Sequence, residues 1–106
     1  MAKAPVTFHL PAIAYAIIHD EAVSRGAAST LLPESRGALA AAAQLAYGVW
    51  VVDCTEEVSH DIEDWFKQTA AVEAALPQGG RFKILNRAVR AIRAGREKSR
   101  REHGAR

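Results

Sequence analysis

Apolar and polar positions divide the chain into segments of different rhythm. Residues 1–9 are short, contain proline and show no helical period, which predicts an extended start. From Pro11 to Ser24 the chain is apolar on most sides, through Ile13, Ala14, Tyr15, Ile17, Ile18 and Val23. That pattern predicts a buried helix opened by Pro11 and ended by Arg25-Gly26. A connector to Leu32 follows. Thr30 is then placed to cap a second helix over 33–52, with Pro33 in its first turn. This helix is alanine-rich, and Ala38, Ala42 and Ala46 form a small-residue ridge. Its end, Val49-Trp50-Val51-Val52, is β-branched and aromatic and also suits a strand. A strand there would find no partner except residues 5–10, so helix is the expectation.

Asp53 followed by Glu56 resembles a capping box and predicts a new helix over 56–76. Val58, Ile62, Trp65, Phe66, Thr69, Val72 and Leu76 share one face of it. Glu56, Glu57, His60, Asp61, Glu63, Asp64 and Lys67 share the other, expected to be a solvated acidic surface. Pro77-Gln78-Gly79-Gly80 stops that helix, and a fourth is predicted over 81–98. Its apolar arc runs through Phe82, Ile84, Leu85, Ala88, Val89, Ala91 and Ile92 and then ceases. The expected fold is therefore all-α, a small four-helix bundle or paired helical hairpins with a basic C-terminal helix and arm. Residues 1–93 form the helical domain, and residues 94–106 a flexible basic arm. Helices three and four are expected to pair as an antiparallel hairpin. So many apolar faces on so short a chain also suggest a homodimer.

Composition narrows the classes. With 106 residues, 49% hydrophobic and 25% charged, the chain is one globular domain rather than a disordered segment. Cys54 is the single cysteine, which excludes an intrachain disulfide and a multi-cysteine zinc site. The longest apolar run, 38–52, is too short for a bilayer and is broken by Gln44, so no membrane partner is expected. The start Met1-Ala2-Lys3 with Ala14-Tyr15-Ala16 imitates a signal peptide. His9 and Pro11 interrupt its apolar stretch and Asp20-Glu21 follow, so a cytoplasmic location is expected.

Charge adds the functional clue. Residues 1–80 carry four basic against ten acidic side chains, a net of −6, whereas residues 81–106 carry ten against two, a net of +8. Lys83, Arg87, Arg90 and Arg101 lie along one helical stripe, with Arg93 and Lys98 beside it and Arg96 and Arg100 completing the cluster. Such a helix can meet several phosphates at once and release their counterions. The expected function is a non-enzymatic, charge-driven nucleic-acid-binding module, an accessory or regulatory protein for DNA or RNA. The alternative is an adaptor or inhibitor that docks on another protein, its basic surface meeting an acidic one. The arm lacks aromatics, which argues against stacking on single strands.

Other motifs carry less. A helix-turn-helix beginning at Gln44–Val49 would place the acidic face of 56–66 against phosphate, and is rejected. Glu57-x-x-His60 has di-metal spacing, but His60 faces away from Trp65 and Val58, so no metal or other cofactor is expected. Cys54 near His60 and Asp61 imitates a nucleophile–base pair, though a lone cysteine is more often a buried one. No phosphate-binding loop or nucleophile elbow is present in the sequence, and Trp50, Trp65 and Phe66 are expected in the core.

Overall fold

A computed structural model of the chain describes residues 5–46, 48–76 and 80–104. Its first element is strand β1 (Pro5–Pro11), in which Val6, Phe8 and Leu10 are buried and Pro5 and His9 exposed. That period of two marks a strand with one face on the core. Helix α1 (Ala12–His19) follows directly and relaxes into a wider π turn over Asp20–Ser24. The segment predicted as helix is thus helical nearly throughout, but Pro11 ends the strand rather than opening the first turn. A 3-10 turn (Gly26–Ala28) leads to helix α2 (Pro33–Ala40), then strands β2 (Ala43–Ala46) and β3 (Val49–Thr55), and helices α3 (Glu56–Ala74) and α4 (Phe82–Gly104).

The all-α expectation is corrected: the fold is mixed, four helices with a three-stranded antiparallel sheet ordered β1-β3-β2. The helix expected over 33–52 ends at Ala40, and its remainder forms the β2–β3 hairpin. Alanine favours helix locally, but Val49–Val52 are β-branched and aromatic and find β1 across the sheet. Val6 pairs with Cys54, Phe8 with Val52 and Leu10 with Trp50. Residues 5–10, the one partner open to a strand at 49–52, are the partner it finds. The hairpin turns through Gly48, whose φ of +81° lies in the left-handed region that favours glycine. The Ala12 N–H then donates to the Gly48 carbonyl at 2.9 Å, tying the start of α1 to the hairpin.

Asp53 is likewise in β3 and does not cap α3. It accepts from Thr7 Oγ1 at 2.6 Å, whereas Thr55 is the N-cap, its Oγ1 accepting from the Val58 N–H at 3.2 Å. One face of the sheet packs on the helices. Phe8, Leu10, Val52, Ile18, Leu39, Ile62, Phe66, Leu85 and Ile92 are all fully buried there. Phe66 is core as expected, while Trp50 and Trp65 are half-buried at its margin. Ile13, Val23, Val72 and Leu76, expected to be buried, are more than half or half exposed. The signal-like start over 1–4, the turn at 77–79 and Arg106 lie outside the described residues.

Two devices hold α1 and α2 in place. Tyr15 stacks on Trp50 with ring centroids 4.2 Å apart and donates its hydroxyl to the Leu39 carbonyl at 2.7 Å. Burial raises the Tyr15 pKa, so the phenol stays protonated as that donor. Asp61 of α3 accepts from the Leu32 N–H at 2.9 Å and Ser35 Oγ at 2.6 Å, capping α2 from another helix. Tyr15→Phe keeps the stack but leaves the Leu39 carbonyl with the longer bond from the Ala42 N–H, at 3.3 Å, in place of two donors. We expect it to cost about 1 kcal/mol, read from urea unfolding; an unchanged midpoint would mean the Ala42 N–H alone satisfies the carbonyl.

Candidate nucleic-acid interface

The basic residues of α4 serve two opposite sides of one helix. Leu85, Ala88, Val89, Ile92, Arg96 and Ser99 form its buried side. The expected flexible arm from residue 94 is instead a continuation of this helix to Gly104, and Arg96 and Ser99 are among its buried residues. The absence of large apolar side chains there does not prevent docking, because the contacts are polar or backbone-close. The Thr7 N–H on the outer edge of β1 donates to Ser99 Oγ at 3.1 Å. Gly95 lies so near the same strand that a Cβ on it would stand 2.5 Å from Phe8 Cβ and 2.5 Å from the Thr7 carbonyl oxygen. α4 therefore covers the open edge of β1.

Toward α3, arginines meet acids in descending order. Arg81 Nε donates to Glu73 at 3.1 Å, and Arg93 Nε to Glu63 Oε2 at 2.9 Å. Arg96 reaches Glu63 Oε1 at 2.5 Å and Ser59 Oγ at 3.1 Å, and Arg100 reaches Glu56. Partners that rise along α3 as they fall along α4 make the two helices antiparallel, as the sequence predicts. The acidic face of α3 is solvated only in part, at Glu57, His60, Asp64 and Lys67. Glu63 and Glu73 are buried, Asp61 caps α2, and Glu56 is paired.

Burial pushes the Glu63 pKa up, but the hydrogen bonds and charges of Arg96 and Arg93 outweigh it and hold the carboxyl below the usual carboxylate range. The Glu56 carboxyl is also held low, first by its hydrogen bond from Arg100.

What remains is an outward stripe. Lys83, Arg87, Arg90, Lys98 and Arg101 are all exposed and fall within an arc of roughly 80° on a helix of 3.6 residues per turn. Among the described residues, Lys83, Arg87, Arg90 and Lys98 have no ion-pair partner, and Arg101 has only Glu97 at 4.0 Å. Of the eight basic residues singled out in the sequence, the fold gathers these five on one face. It turns Arg93, Arg96 and Arg100 toward α3. Beside the stripe, β1 and α4 border a groove of about 430 Å³, with Thr7 and His9 on one wall and Ala91, Gly95, Lys98 and Glu102 on the other. No local sequence pattern around His9 or Ser99 points to this neighbour.

Cys54 is half-buried, and burial, helped by the charge of Asp53 and opposed by Arg96, raises its pKa to about 11. It is therefore a thiol at neutral pH. His60 is exposed, and among the described residues no group of three His, Cys, Asp or Glu side chains is placed to hold a metal ion. No helix among them is long and apolar enough to cross a membrane. No protein-family pattern, curated protein or solved structure matches this chain.

Proposed function

We propose that the protein is a non-enzymatic nucleic-acid-binding accessory or regulatory protein, and that the outward face of α4 is its binding surface. The supporting observation is the sorting of charge on that helix. Acids of α3 satisfy the arginines that face inward, while five cations stay exposed on one stripe bordered by the acids Glu97 and Glu102. Charges held on a rigid helix, rather than on a loose arm, meet a regular polyanion without first being ordered. The contacts are to phosphate, so the binding is largely independent of sequence.

Arg87→Glu with Arg90→Glu tests this. Both side chains are exposed and unpaired among the described residues, so the fold is expected to persist by circular dichroism. Anisotropy titration at low salt is expected to show binding by the native protein and none by the double variant. Unchanged affinity would remove α4 as the binding surface. Failure of the native protein to bind nucleic acid would turn the same stripe into a docking surface for an acidic protein.

A further inference from the structure

We infer that α4 lies across the major groove of a B-form DNA duplex and touches the phosphates of both strands. This rests on the nucleic-acid function proposed above and names the form of nucleic acid. The cations of the stripe fall into two groups along the helix axis: Lys83, Arg87 and Arg90, then Lys98 and Arg101. Arg90 and Lys98 are eight residues apart, about 12 Å at 1.5 Å per residue. The major groove of B-DNA is about 12 Å wide and the minor groove about 6 Å. Between the two groups the central outward position is Ala94, flanked by Ala91 on one side and by the exposed Glu97 on the other.

Those alanines offer base edges no hydrogen-bonding group, which fits recognition of the duplex without its sequence. Glu97 lies in the gap itself, with Arg101 as its ion-pair partner at 4.0 Å. A single strand laid along the helix would cross a gap that holds the acidic Glu97, with no aromatic on the outward stripe to stack a base. Duplex RNA has a deep, narrow major groove that excludes the helix.

The test is anisotropy binding of a mixed-sequence duplex DNA, one of its strands and the matching duplex RNA, across 50–200 mM salt at roughly the range where phosphate contacts are resolved. Three proteins are compared: native, Lys83→Gln/Arg87→Gln/Arg90→Gln, and Lys98→Gln/Arg101→Gln. With all five cations on phosphate, the duplex log–log slope is expected near about −4.5, falling in magnitude by about 2.7 in the triple variant and about 1.8 in the double variant. The single strand, held by one group only, is expected to show about −2. Two results overturn the two-strand geometry while leaving phosphate binding intact: equal affinity and slope for the single strand or the RNA duplex, or a slope that depends on one group alone. Absence of salt-sensitive binding to all three nucleic acids overturns the proposed function itself.

Discussion

Glu63→Ala is expected to destabilise the protein by about 3–5 kcal/mol, the usual cost of removing one partner from a buried ion pair. Glu63 and Arg96 are only 6% and 7% exposed, and each oxygen of the Glu63 carboxylate accepts from a different arginine. Without it the Arg96 guanidinium is left in the α3–α4 interface with Ser59 Oγ as its remaining partner. Urea unfolding followed by tryptophan fluorescence checks the size of the loss; less than about 1 kcal/mol would mean Arg96 escapes to solvent. Glu63→Leu with Arg96→Met is expected to recover most of the stability, since an apolar pair of similar volume carries no desolvation penalty.

The same carboxylate sets an acid limb. Its pKa is lower folded than unfolded, so its contribution is complete above the unfolded value of about 4.3 and is lost as pH falls through the folded value. Stability of the native protein should therefore decline more steeply below that pH than stability of Glu63→Gln.

Gly95→Ala is the second large effect, and its origin is steric. The added methyl would stand 2.5 Å from Phe8 Cβ and 2.8 Å from Phe8 Cα, atoms of a paired strand that cannot swing aside. We expect a loss of about 1–3 kcal/mol, typical of overpacking, although alanine is the better helix former. In melting temperature each kcal/mol is about 4–8 °C for a domain near this size. Gly37→Ala in α2 is the control. A Cβ there meets nothing within 4 Å, so the same substitution is expected to be neutral or to stabilise by up to about 1 kcal/mol. Equal effects at the two glycines would mean that α4 does not approach β1 as described.

The difference between those glycines also shows what local pattern can and cannot convey. α3 and the first half of α4 have apolar residues at spacings of three and four, and their positions follow from that period alone. The alanine run from 38 onward is ambiguous in the same terms, because alanine suits a helix and the partner that makes 49–55 a strand is some forty residues away. The basic surface was legible as charge, but its division was not. Which arginines face inward depends on Glu56, Ser59 and Glu63 of a neighbouring helix, and only their packing against α4 separates Arg96 from Lys98. The stretch after residue 94 looked detached because its anchors are a serine, a glycine and a paired arginine, none of which registers as hydrophobic.

The hydrogen bond from Thr7 to Ser99 joins positions 92 apart in the chain. On a ribosome, β1 emerges early but its outer edge cannot be covered until α4 has emerged to nearly its full length. Through that interval an unshielded strand edge is available to other nascent chains. The closing contacts are among the most non-local the chain can make, so their formation is expected late and slow relative to the α3–α4 hairpin. Chain termination inside α4 would thus do more than shorten a basic tail: it would release a polypeptide whose first strand has lost its cover and is open to aggregation.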